Sequence, residues 1–284
     1  VNTPRHPIDP ASLPIEFSAK TGFECHRMDT RIKPLKALVN LFRSQSYFVD
    51  RFWDRSWSEK LIQILQRDAF DIVQLEHSYL GLYIETLRRH SSALIVLRPQ
   101  NVEHEVWRQI LNEEKNLLRK KYLTIAANRL RRFENEIAGK VDGILAISET
   151  DATSFQQMAP GKPVIAIPVS FDFSNQKTPV FSENENKTPV FYHLGSMDWT
   201  PNLQGIQWFL NEIMPHVIEK NHGFRFRIAG KNMPDSLFKK QSDNLQVEGE
   251  IADAAAFHLQ NDVMIVPLLS GGGIRVKIIE AMAL

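Results

Sequence analysis

The segment Val266-Pro-Leu-Leu-Ser-Gly-Gly-Gly-Ile-Arg-Val-Lys-Ile-Ile-Glu-Ala-Met holds the densest set of groups suited to chemistry. An apolar strand runs into three glycines and then into a helix carrying Arg275, Lys277 and Glu280. Glycines let backbone N–H groups approach a ligand closely. A helix start adds free donors and partial positive charge. With two cations at the same point, the pattern is that of an anion site suited to a diphosphate, Arg being the more directional partner. Glu280, just beyond, could accept from ribose hydroxyls. The plainer alternative is a Gly-rich turn followed by a solvated basic helix start. The Gly-Lys-Ser/Thr end of a P-loop is missing, which disfavours triphosphate hydrolysis, and no Gly-x-Gly-x-x-Gly follows a strand.

Other candidates are weaker. His77 follows a strand ending at Leu75, at the carboxyl edge where α/β folds bind ligands; the competing reading is a half-buried, hydrogen-bonded His. Asn101, Glu103 and His104 follow the next strand at the same edge and are candidates for an acceptor cleft. His104-Glu105 is no zinc motif, because Arg108 stands where the second His would be needed. Tyr47, Phe48, Phe52, Trp53 and Trp57 cluster at helical spacings and read as core packing. Residues 108–132 carry Arg108, Lys115, Arg119, Lys120, Lys121, Arg129, Arg131 and Arg132 against Glu113 and Glu114. They form either a solvated helix face or a contact with anionic lipid head groups.

The elements that position these residues alternate. Strands are expected at 71–75, 93–97, 141–147 and 163–167, with helical stretches near 79–90, 102–137 and 149–157, the last N-capped by Ser148. After a polar stretch punctuated by proline, strands are expected at 189–194, 224–229, 244–248 and 262–267. Helices are expected at 202–220, 234–240, 253–260 and from about 274. Such alternation argues for βαβ units and parallel sheets. The chain therefore reads as two Rossmann-like domains, 1–174 and 189–284, joined by a linker at 175–188. Lys-Thr-Pro-Val-Phe occurs twice, at 177–181 and 187–191, as a local duplication and not a solenoid.

The whole chain of 284 residues is 43% hydrophobic and 24% charged, ordinary globular usage that argues against disorder. No apolar run reaches the 18 residues of a membrane span. With 34 Lys and Arg against 33 Asp and Glu, the net charge of +1 gives no global field for nucleic acid. The single cysteine, Cys25, cannot form an internal disulfide, which points to a reducing compartment.

From Phe191 on, the chain resembles the nucleotide-sugar-binding domain of retaining glycosyltransferases of family 4, which have the GT-B fold. Five segments carry the resemblance in register. They are His193-Leu-Gly-Ser-Met-Asp-Trp-Thr-Pro-Asn202, Trp208-Phe-Leu with Pro215, Arg227-Ile-Ala-Gly-Lys231, Val247-Glu-Gly-Glu-Ile-Ala-Asp253 and the Gly-rich segment above. Phe70–Glu76 and Leu97–His104 are similar to acceptor-domain segments of a bacterial subgroup. Two positions depart from the pattern. Gln100 stands where the subgroup has a His, and Gly272 where many members have the first of two glutamates eight positions apart; the second is Glu280.

The resemblance implies an α/β chain of two Rossmann-like domains facing a cleft. It implies transfer of a sugar from a nucleoside-diphosphate sugar to a saccharide or lipid-linked acceptor, with retention and without metal or other cofactor. Arg275 and Lys277 would stabilise the leaving diphosphate. Gly195, Met197, Gly230, Gly249, Gly271, Gly272, Gly273, Ile274 and Glu280 would bind the donor, and His77, Asn101 and Glu103 would face the acceptor. Base recognition would come through backbone near Glu248-Gly249-Glu250. The setting implied is bacterial polysaccharide biosynthesis in the cytoplasm, with peripheral contact to an anionic membrane and no nucleic acid. Relative to the family, the first strand and the C-terminal part are expected to be missing. Two rival readings are a nucleotide-sugar 2-epimerase of the same fold, distinguished by proton exchange into the donor sugar, and a nucleotide-sugar-binding module without catalysis.

Overall fold

Short runs of Ile, Val and Leu make the strands. The computed structural model describes residues 3–4, 7–170, 188–270 and 275–283. Most of the expected linker, and Gly271, Gly272, Gly273 and Ile274 of the donor set, lie outside the described residues. The chain divides into two units, Val1–Pro168 and Val169–Leu284. Each holds one four-stranded parallel sheet. The architecture is α/β, as expected.

In the first unit, β1 (Ile72–Leu75), β2 (Leu94–Leu97), β3 (Gly143–Ala146) and β4 (Val164–Ala166) lie side by side in chain order. Before them come α1 (Ile15–Thr21), α2 (Pro34–Asn40), α3 (Tyr47–Asp50) and α4 (Arg55–Arg67). Alternate strand residues, including Leu75, Ile95, Leu97, Ile144 and Ala146, are buried in one core. A long helix contributes Leu123, Ala126, Ala127, Leu130, Phe133, Ile137 and Ala138 to it, spaced so that they share one face. On the other sheet face Ile72, Leu94 and Ile165 are exposed.

The expected helix at 102–137 is two helices, α6 (Glu103–Glu113) and α7 (Leu117–Lys140), following α5 (Ile84–His90). Glu114 is extended, and Asn116 starts a new helix by accepting from the Arg119 N–H at 3.0 Å. A short polar side chain at the N-cap offers the backbone this alternative to continuing the first helix. Ser148 caps α8 (Glu149–Met158) as expected, accepting from the Asp151 N–H. Of the aromatic cluster, Tyr47 and Phe48 are buried and Phe52 packs on the core. Trp53 is not core: it lies exposed at the rim, stacked on Tyr83 at 5.3 Å.

In the second unit the order is β7 (Leu245–Gly249), β6 (Arg225–Ala229), β5 (Val190–Leu194), β8 (Val263–Met264). The chain enters on β5, builds outward through β6 and β7, then returns to the other side of β5. β8 is shorter than the expected 262–267. The Ile265 N–H still bonds the Tyr192 carbonyl, but Pro267 has no N–H to offer and Leu268 turns back onto the Val266 carbonyl. The expected helix at 202–220 is α9 (Thr200–Trp208), a π turn at Phe209–Ile213, and α10 (Met214–Lys220). Pro215 explains the interruption, since a proline inside a helix removes one hydrogen bond and crowds the preceding turn; the π turn accommodates it. Three short helices complete the unit: α11 (Asp235–Phe238), α12 (Ala254–Leu259) and α13 (Val276–Ala283).

One buried carboxylate ties the first unit together. Glu134, in the middle of α7, is fully buried. It accepts from the backbone N–H groups of Glu103 (3.0 Å) and His104 (2.9 Å), the first turn of α6, and lies 2.7 Å from His104 Nδ1. A helix start otherwise leaves these donors unsatisfied. Glu134→Ala strands them in the core and is expected to cost at least about 3 kcal/mol, read as a lower urea midpoint, with Glu136→Ala on the exposed face as the neutral comparison.

Candidate functional site

The strand order of the second sheet reverses at β5, with β6 on one side and β8 on the other, and α/β sheets bind ligands outside the carboxyl ends of strands at such a point. The residues found there are His193 at the end of β5, the loop Gly195–Trp199, Asn202 on α9, and Arg275 and Lys277 at the start of α13.

The loops close because glycine permits it. Gly230 has φ 145°, and a Cβ there would lie 1.9 Å from the Gly195 carbonyl oxygen. The backbone ladder continues through this contact: Gly195 N–H to Ala229 O (3.0 Å), Met197 N–H to Lys231 O (2.9 Å), Gly230 N–H to Gly249 O (2.7 Å). At Gly195 itself a Cβ would meet Asn202 Nδ2 at 2.8 Å, Lys277 Nζ at 2.9 Å and His193 Nε2 at 3.0 Å. Three polar atoms from three elements thus converge on the space above one glycine.

Lys277 Nζ donates to Asn202 Oδ1 at 2.8 Å and to the Leu194 carbonyl at 3.5 Å. Burial, and then the charge of Arg275, bring its pKa down to about 8. The Arg275 guanidinium lies over the Trp199 ring, 5.0 Å from its centroid, a cation–π contact that fixes the direction of the charge. His193 is fully buried. Its Nδ1 is 2.9 Å from the Ile265 carbonyl, which only accepts, so the proton sits on Nδ1 and Nε2 presents a lone pair. Nε2 has no hydrogen-bond partner among the described residues. Burial and the nearby Lys277 charge push its pKa down to about 3, so His193 is neutral. The Met197 side chain packs in the core of the unit. Gly249 has φ 74° and lies against Phe238. Glu280, one turn beyond Lys277, is close enough for its charge to act on Tyr192 and His258, which are themselves joined at 2.6 Å.

The first unit has its own polar cluster, at the carboxyl ends of β1 and β2. His77 Nδ1 accepts from the Tyr79 N–H, which leaves the proton on Nε2, 3.5 Å from Glu103 Oε1. Tyr79 Oη donates to Glu103 Oε2 at 3.0 Å, and the Asn101 side chain also bonds Glu103. Burial, and then the charge of Glu134, raise the Glu103 pKa to about 7. Burial, and then Arg51, lower that of His77 to about 4. Arg51, whose charge also acts on Tyr79 and Glu103, lies over the Phe52 ring. The three residues expected on the acceptor side are therefore in one cluster. Gln100, which replaces the subgroup's His, bonds Glu76 instead at 3.4 Å.

Sequence reasoning missed Trp199, Asn202 and His193 as partners of the cations, and Arg51, Tyr79 and Glu134 around Glu103. The first three lie within the quoted segment His193–Asn202, and a Trp, Asn and buried His flanking one Gly is the signal that marks them. For Arg51 and Glu134 no local signal exists.

With this geometry in view, four similarities can be placed. Residues 188–284 match the family model described as glycosyl transferases group 1. A Klebsiella pneumoniae protein described as an uncharacterized 44.6 kDa protein in the cps region is 26% identical over 234 residues, covering 78% of this chain and 58% of that one. Among solved structures, sucrose-phosphate synthase from Thermosynechococcus elongatus superposes with a TM-score of 0.59 at 12% identity, over 82% of this chain and 58% of that one. The UDP-forming α,α-trehalose-phosphate synthase of Burkholderia xenovorans, in complex with glucose-6-phosphate, gives 0.53 at 12%, over 86% and 65%. The chain thus has the fold of the GT-B glycosyltransferases, and it spans about three fifths of the length of the relatives it matches.

Lys277 is cationic below about pH 8 and neutral above it. Affinity for uridine, guanosine or adenosine diphosphate, measured by calorimetry, is expected to fall as pH rises through that value. Lys277→Met should bind the tightest of the three about 10–100-fold more weakly at pH 7, as loss of a hydrogen bond from a charged group requires, and show no inflection near 8.

Proposed function

We propose that the protein transfers a sugar from a nucleoside-diphosphate sugar to a saccharide or lipid-linked acceptor, with retention and without a metal ion. One observation carries the reading: Arg275 and Lys277, held by Trp199 and Asn202, converge on the topological switch point of a unit that matches the glycosyl transferases group 1 model. The fold neighbour from Burkholderia xenovorans is described as UDP-forming, and a departing diphosphate is the group that two such cations suit. As the bond to the anomeric carbon breaks, negative charge grows on the phosphate oxygens. Fixed cations in a half-buried site stabilise that charge without reorganising. Glu280 would accept from the ribose. The Klebsiella relative's place in a cps region supports an acceptor that belongs to polysaccharide synthesis. Neither epimerisation nor binding without catalysis is favoured by any feature of the site.

On the acceptor side, Glu103 receives the proton of the attacking hydroxyl, with His77 and Tyr79 holding the carboxyl. Arg275→Ala is expected to lower turnover about 10²–10³-fold, the range for loss of one preorganised donor, in a transfer assay with a panel of UDP-, GDP- and ADP-sugars. Turnover within about threefold of the parent would exclude the role. Glu103 is protonated below about pH 7 and ionised above it, so activity should rise through that value. Glu103→Gln should remove the inflection, and a profile unchanged by it would exclude Glu103 as the proton acceptor.

A further inference from the structure

The second unit buries a polar pair that binding a diphosphate does not require. Tyr192 on β5 and His258 on α12 are 3% and 4% exposed. Their rings meet edge to face with centroids 5.5 Å apart, and Tyr192 Oη lies 2.6 Å from His258 Nδ1. The surroundings are apolar: Tyr192 packs with Ala229 and Phe257, against Leu194, Ile251 and Met264. Asp253 starts α12 by accepting from the Ala256 N–H at 3.0 Å, which fixes the helix that carries the imidazole.

The proton positions follow from these surroundings. Burial pushes the Tyr192 pKa up to about 12, so the phenol keeps its hydrogen. Burial lowers that of His258, so at pH 7 the imidazole is neutral, with one N–H and one lone pair. If Nδ1 carried the hydrogen, the phenol hydrogen and the Nε2 lone pair would both be buried and unspent. With the phenol donating to Nδ1, one group alone is left over, the Nε2–H, and buried polar groups are rarely left unpaired. Nε2 has no hydrogen-bond partner among the described residues. A donor there calls for an acceptor. Glu280 on α13 supplies one, since its charge acts on both Tyr192 and His258.

We infer that Tyr192 and His258 are positioning residues for Glu280: the phenol fixes the tautomer, the Nε2–H engages one carboxylate oxygen, and the other oxygen is turned toward the ribose of a bound nucleotide. The inference rests on the proposed role of Glu280 as ribose acceptor. β5, α12 and α13 then converge on one carboxylate. A glutamate on a freely rotating stem loses side-chain entropy when a ribose arrives. Held by a buried donor, it presents its second oxygen in one direction beforehand. A site built to hydrogen-bond a hydroxyl rejects a ligand that lacks it, because the site's own polar group is left unpaired. The pair thus sets selectivity for ribose and leaves the diphosphate to Arg275 and Lys277.

Calorimetry on the full chain tests this by comparing two ligands. One is the tightest-binding of uridine, guanosine and adenosine diphosphate; the other is its 2′,3′-dideoxy counterpart, which keeps the diphosphate and lacks both hydroxyls. The parent is expected to bind the ribose form about 10–100-fold more tightly, the range for hydrogen bonds to a charged group, and Glu280→Ala should remove the preference. His258→Phe should bring the ratio below about threefold while affinity for the dideoxy form stays within about threefold of the parent. His258→Gln, whose amide N–H can stand in for the Nε2–H, should keep most of the preference, and Tyr192→Phe, which frees the tautomer, should lower it. A preference lost in Glu280→Ala but kept in His258→Phe overturns the inference and leaves the role of Glu280 standing. Equal weakening of both ligands in His258→Phe marks a merely structural role and overturns it too. A parent that does not distinguish the two forms, or a Glu280→Ala variant that still does, takes Glu280 off the ribose and the inference with it.

Discussion

Two backbones touch at Gly195 and Gly230, and the order of the second unit's site follows from that contact. Only a residue without a Cβ at position 230 lets the ends of β5 and β6 come this close. The approach draws the loop after β5 under α9, so that Asn202 reaches Lys277 and Trp199 reaches Arg275. A wider gap would leave both cations on long, freely rotating stems, where they would lose side-chain entropy on meeting an anion. The glycines thus convert two flexible charges into oriented ones before any ligand arrives.

The cluster around Glu103 solves a different problem, holding several ionisable groups in one place out of water. Glu134 is spent on the first turn of α6, and its charge opposes ionisation of its neighbour. His77 is kept neutral by burial and by Arg51. The result is one carboxyl poised near neutrality beside two groups with fixed protons. That is the condition for moving a single proton.

Much of this was legible in the residues. Strand positions followed from runs of Ile, Val and Leu, and Ser148 announced its helix. The diphosphate-like segment around Arg275 stood out because charge, glycine and helix start coincide locally. What escaped was set by partners distant in sequence. Glu134 sits mid-helix just after Arg131 and Arg132, with nothing local to mark it; only the helix start 30 residues earlier, packed against it, makes it buried. Asn116 broke a helix that apolar periodicity alone would have continued, because one side chain's hydrogen bond outweighs a marginal propensity. Pro215 was seen without the π turn that accommodates it.

The long helix α7 grips α2 through Arg129 and, five residues on, the first turn of α6 through Glu134, from opposite sides of the same rod. A helix does not stretch, so the two grips keep a constant separation of about 7.5 Å along the axis. α7 is therefore a ruler. The end of α2 and the start of α6, where Glu103 stands, keep one spacing along it, and a displacement of either is passed to the other as a movement of the whole rod.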